Sequence, residues 1–196
     1  MGLRRIEPPT DEPVSLDEAK AHARVDGSHS DAELTRLVAA ARAYVERATG
    51  RSLLEQTWEL TLDRFPCDDD PHGAVIRLPM GDVISVDSIA YLDEDGESQV
   101  VEAATYVVSV GDNPARVALL DGASWPSTRI QPDAVTVTYS AGYGDEAEHV
   151  PGDLREAVLL VFGHWLRNKE GVVTGTIATA LQHSVDALID SYRIHA

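Results

Sequence analysis

The chain has 196 residues, 43% of them hydrophobic and 25% charged, which is enough for one good core or for one domain with a second folded inside it. Its 16 basic and 33 acidic residues give a formal net charge of -17, which opposes casual binding to nucleic acid or anionic lipid and excludes readout through a basic stripe. Residues 51–150 hold 5 basic and 19 acidic groups, net -14, so nearly all the excess lies in the middle of the chain. The one cysteine, Cys67, excludes an intrachain disulfide. No apolar run reaches membrane-spanning length, and no apolar signal core follows Arg4 and Arg5, so an intracellular site of synthesis is expected.

Residues 1–13 are polar, hold Pro8, Pro9 and Pro13, and read as an extended arm. Ser15 and Glu18 have capping-box spacing and open a first helix that stops before Gly27. Ser30 and Glu33 repeat that spacing. After them Leu34, Leu37, Val38, Ala41, Tyr44, Val45 and Ala48 give one apolar helical face, closed by Gly50. The period then changes from helical to alternating. Thr57, Glu59, Thr61 and Asp63 interleave with Trp58, Leu60 and Leu62 as in a half-buried strand. Further strands are expected at 74–78, 83–92, 98–101, 106–110, 116–120 and 135–139, with Asp93-Glu94-Asp95-Gly96 as a hairpin turn. Short, closely spaced strands of this kind indicate an antiparallel sheet, sandwich or small barrel.

The helical period returns after Pro151, where Leu154, Ala157, Val158, Val161, Phe162 and Trp165 share a face. Val172 to Thr176 reads as a flexible lead into a last short helix carrying Leu181, Val185, Leu188, Ile189 and Tyr192. The expected fold class is α+β. Its helical core comprises 14–52 and 150–170, in which a helical hairpin packs with the C-terminal helices. An acidic antiparallel β domain over 53–149 is inserted between helices two and three. Residues 171–196 form a flexible tail with an amphipathic helix.

No segment carries a convincing catalytic or metal-binding constellation. Gly142-Tyr143-Gly144 follows a strand, but the next helix starts only near Pro151 and acids stand where a phosphate would lie, so a glycine-rich turn is the better reading. In Asp93–Gly96 one calcium ligand position is occupied by Tyr91, and the flanks are strands, which favours the hairpin. Asp68-Asp69-Asp70 with His72 reads as a solvated loop, because three adjacent side chains rarely converge on one ion. The seven histidines are scattered, with His164 in the apolar helix and His183 in the tail, and no His-Glu-x-x-His pairing, nucleophile elbow or Walker loop occurs.

Several stretches, in order and spacing, resemble the head-tail connector (adaptor) proteins of tailed phages and gene transfer agents. These are Ser15-Leu16-Asp17-Glu18-Ala19-Lys20-Ala21-His22, Tyr44-Val45-Glu46, Thr49-Gly50-Arg51, Gln56-Thr57-Trp58-Glu59-Leu60, Ile76-Arg77-Leu78-Pro79, Trp125-Pro126, Ala141-Gly142-Tyr143-Gly144 and the terminal Leu188 to Arg193. The resemblance runs over roughly residues 14–194. It implies a structural subunit without catalytic residues or cofactor. Such a subunit forms a ring with copies of itself, dodecameric in the particle, under the portal protein. The ring extends the DNA channel, without sequence-specific DNA binding, and receives a stopper or tail-completion protein. The protein would be made in the host cytoplasm and reside in the virion at the portal–tail junction, with no membrane partner. On this reading Leu181, Val185, Leu188, Ile189, Tyr192 and Arg193 form a portal-docking tail, and Leu37, Tyr44, Phe162 and Trp165 serve ring packing. The alternatives are a stopper or tail-completion protein of the same particle, and a small ligand-binding or enzymatic β-module with helical flanks.

Overall fold

In the computed structural model the described residues are 1–70, 73–168 and 177–194, the side chains of 177–182 excepted. The chain divides into two compact units, Met1–Pro8 with Glu55–Gly142 and Pro9–Leu54 with Tyr143–His195.

The first unit is all antiparallel. Strands β1 (Gly2–Glu7), β2 (Gln56–Leu62), β4 (Val83–Leu92), β5 (Ser98–Val100) and β8 (Val135–Ala141) form a five-stranded sheet in the order β1-β2-β8-β4-β5. Strands β3 (Val75–Leu78), β6 (Tyr106–Ser109) and β7 (Ala115–Leu119) form a second sheet, ordered β3-β7-β6. Alternation explains why the two share one core. On central β8, Val135, Val137, Tyr139 and Ala141 are fully buried while Thr136, Thr138 and Ser140 face the other way. They meet Leu60 and Ile89 of their own sheet and Ile76, Leu78, Ala115 and Val117 of the other. Of the three β architectures the sequence allows, the two sheets over a common core make a sandwich, and no barrel closes among the described residues. Phe65 stacks on Trp125 at 4.8 Å and meets Tyr91 edge-on at 5.7 Å.

The arm expected at the start contains a strand. Residues 2–7 pair with β2, placing Leu3 opposite Leu60 and Arg4 opposite Glu59, with a bulge before Glu7. The hairpin at Asp93–Gly96 forms as read. The Asp93 carboxylate accepts from the Asp95 and Glu97 backbone N–H groups at 3.1 and 2.9 Å, and Gly96 sits at φ 88°.

The second unit holds four helices among the described residues, α1 (Leu16–Ala23), α2 (Asp31–Thr49), α3 (Gly152–Arg167) and α4 (Ile177–Ile189). Leu34, Val38, Ala41 and Val45 of α2 pack with Leu154, Val158, Val161 and Phe162 of α3 and with Val185 and Ile189 of α4. The first capping box is present in full, with Ser15 and Glu18 bonded reciprocally. The second is not. Ser30 has φ -111° and ψ 6° rather than an extended backbone, and its side chain makes no cap hydrogen bond. The stretch Val172–Thr176, expected to be flexible, lies outside the described residues. Beyond it α4 packs on the helical core through Val185 and Ile189.

Because Phe162 has no accessible surface, Phe162→Ala is expected to lower unfolding free energy by about 3–5 kcal/mol in urea titration. Ile130→Ala, at a fully exposed position, should stay within about 0.5 kcal/mol of the parent.

Candidate assembly surfaces

The helical unit contains an open cleft of about 1100 Å³, lined by Glu12, Glu18, Asp145, Glu146, Glu148 and Arg155 among others. Local structure accounts for several of these charges. The Ser15 backbone N–H, 2.8 Å from the Glu18 carboxylate, holds that carboxyl below its ordinary 4.5; the Ser15 hydroxyl and Arg155 assist and burial opposes. Arg155 donates to Glu18 at 2.6 Å and to the Pro13 carbonyl at 2.8 Å. The cleft therefore binds α1 to α3 through its own charges. Among the described residues no group of three or more His, Cys, Asp or Glu side chains is arranged to hold a metal ion.

Beside it lies a charge network the sequence reading did not single out. Arg42 is 5% exposed and Glu46 3%. Arg42 donates to Glu46 at 2.8 Å and to both Glu12 carboxylate oxygens at 2.8 and 3.4 Å. Burial works against the guanidinium charge, but its hydrogen bonds to Glu12 and the attraction of both carboxylates outweigh it and raise its pKa. The other Glu46 oxygen accepts the Leu53 backbone N–H at 3.1 Å. The available signal was the i,i+4 spacing of Arg42 and Glu46, set directly beside the buried Ala41 and Val45.

The structure gathers most of the residues expected to dock or to pack a ring around one helical core. Phe162 is inside the core; Leu37, Tyr44 and Trp165 are partly buried against it, and Tyr44 meets Trp165 edge-on at 5.8 Å. In the C-terminal set, Val185 and Ile189 are buried, Leu188 and Tyr192 pack against the same core, and Arg193 pairs with Asp186 and Asp190. Leu181 lies in α4, with its side chain outside the described part. In the loop at 68–70, Arg64 grips the Asp70 carboxylate in a bidentate pair at 2.8 and 3.2 Å. His72 lies outside the described residues.

Exposed apolar side chains concentrate in the β unit. Leu3 and Ile6 stand on edge strand β1, Val100 on edge strand β5, Val107 on edge strand β6, and Ile130 on the loop before β8. The outer face of the five-stranded sheet is a hydroxyl field, with Thr61 opposite Thr136, Glu59 opposite Thr138 and Thr57 opposite Ser140. No helix of the described residues is long and apolar enough to cross a membrane.

Among the described residues the β unit has open sheet edges, and the helical unit is fixed by its own ion pairs. Residues 13–89 match the family described as phage gp6-like head-tail connector protein. Comparison with curated proteins finds no match. Among solved structures, the chain is similar over 100% of its length to 97% of a chain in the neck of an empty GTA particle computed with C6 symmetry, with TM-score 0.82 and 23% identity. A chain in the virion of a native gene transfer agent (GTA) particle matches over the same shares with TM-score 0.79 and 22% identity. A third, in the neck of a native GTA particle computed with C12 symmetry, covers the same shares with TM-score 0.75 and 23% identity. At these identities the structural likeness establishes the fold, and the connector family match covers α1, α2, β2, β3 and most of β4.

Two measurements check the helical unit. Arg42→Ala removes a buried cation bonded to both Glu46 and Glu12 and should lower stability by about 3–5 kcal/mol in denaturant titration. Glu18→Gln should be less stable than the parent at pH 7. Because the folded Glu18 pKa is depressed, the difference is full above pH 4.5 and should close as pH falls through the lower folded value.

Proposed function

We propose that the chain is a structural head-tail connector (adaptor) subunit of a tailed-phage or gene-transfer-agent particle, and not an enzyme. The observation that carries this is the full-length likeness to a GTA neck chain, TM-score 0.82 with 97% of that chain covered, joined to the connector family match at 13–89. In this role copies form a ring beneath the portal, extend the DNA channel, and receive the stopper or tail. Neck particles computed with C6 and C12 symmetry support a ring whose copy number is a multiple of six; twelve satisfies both.

The physical character of the chain fits such a role. A ring subunit needs rigid, self-complementary but non-identical faces, and both compact units present built elements for this. The net -14 of residues 51–150 repels a phosphate backbone, so DNA passing nearby would slide rather than adhere. The enzymatic alternative finds no support in the matched family or in the matched neck chains.

Particles assembled without this protein should contain filled heads lacking tails in negative-stain electron microscopy. Particles carrying a labelled copy should show the label only at the portal–tail junction. Label spread over the capsid or along the tail tube would overturn the assignment.

A further inference from the structure

The five-stranded sheet has two open edges, β1 and β5, at opposite ends of the order β1-β2-β8-β4-β5. Each edge offers a row of backbone N–H and C=O groups with no strand beyond it. All six residues of β1 and all three of β5 are exposed. Neither strand contains proline, and each carries apolar surface: Leu3 at 40% and Ile6 at 43% on one, Val100 at 65% on the other.

We propose, on the basis of the connector reading above, that neighbouring copies join by pairing edge β1 of one with edge β5 of the next, continuing the sheet from subunit to subunit. Charge favours this pairing over its rivals. Edge β1 carries Arg4, with a side chain 73% exposed although it bonds Glu59 of its own sheet, and Arg5, which bonds Gln56, against a single acid, Glu7. Edge β5 is bracketed by the exposed acids Glu94, Asp95, Glu97 and Glu102. A symmetric β1–β1 contact would set arginines against arginines, and a β5–β5 contact acids against acids. The complementary contact is head-to-tail, and a head-to-tail contact is what generates a ring. On the second sheet, edge β3 carries a further arginine, Arg77, and so does not complement β1. Near edge β6, the charge of Asp112 is offset by Arg116 of the neighbouring strand β7. Scale agrees. Twelve copies of a five-stranded sheet at about 4.8 Å per strand make a circuit of about 290 Å, or about 90 Å across, which leaves room for a central channel.

The test places a cysteine on each edge in full-length protein assembled into particles, with Cys67, an exposed thiol, changed to serine. Leu3→Cys is combined in turn with Ser98→Cys, Gln99→Cys or Val100→Cys, and particles are treated with a mild oxidant. Cross-strand neighbours fall within disulfide reach, a Cα separation below about 7 Å. At least one combination should give a ladder of dimers, trimers and higher species on a non-reducing gel, while each single variant stays monomeric. The inference is overturned if necks contain normal amounts of the protein and no combination gives a ladder. It is also overturned if Leu3→Cys alone yields dimers, or if Leu3→Cys instead links to Val107→Cys on β6. Absence of the parent protein from the neck would count against the connector reading itself, which separates the two failures.

Discussion

The Arg42 guanidinium, buried between Glu46 and Glu12, is the constraint on which the helical unit depends. Two carboxylates and one guanidinium satisfy one another, with Arg42 and Glu46 buried and Glu12 half-buried at the rim. Removing Arg42 takes one buried cation from both carboxylates, so the segments that supply the three groups are held in one arrangement. Glu46 extends that arrangement by accepting the Leu53 N–H just beyond the end of α2. The chain's last segment attaches at the same end. The Ile194 N–H donates to the Thr49 carbonyl at 2.9 Å, and Arg51 donates to the Tyr192 carbonyl. Carbonyls that a helix C-terminus would leave open are thereby occupied. The glycine at position 50, at φ 71°, lets the backbone turn where all these bonds converge.

The β unit is organised differently, by alternation and not by charge. Its buried face is aliphatic and aromatic, and the Tyr139 phenol, whose pKa burial raises, donates to the Pro79 carbonyl at 2.9 Å. Its outer face is threonine and serine, residues that hold a strand extended without presenting a sticky surface. Net negative charge therefore resides on turns and loops around the sandwich, as in the bidentate Arg64–Asp70 pair and the Asp93 turn.

Much of this was legible in the sequence. The shift from helical to alternating period near residue 56, and back near 151, located the β unit because burial on one face imposes the period. What escaped the reading has physical reasons. Strand β1 lacks an alternating pattern, since all six of its residues are exposed; only pairing with β2 makes it a strand. The motif Ser-x-x-Glu gave a true cap at Ser15 and none at Ser30, because the motif specifies side chains and the cap requires an extended backbone. Val185 and Ile189 carry an amphipathic pattern that fits a partner's groove or the chain's own core equally well. The structure directs them inward. Sequence periodicity reports that a face will be covered, not by what.

One detail of the topology bears on how such a chain can change over evolutionary time. The β unit departs after Leu54 and returns at Gly142, and its first and last long strands are neighbours, with Gln56 directly opposite Ala141. Exit and re-entry thus lie one strand spacing apart. A lineage could lengthen, shorten or exchange the excursion between them while the helices keep their positions. There is one condition: β1 belongs to the excursion although it precedes α1, so a transplanted module would have to bring its own first eight residues.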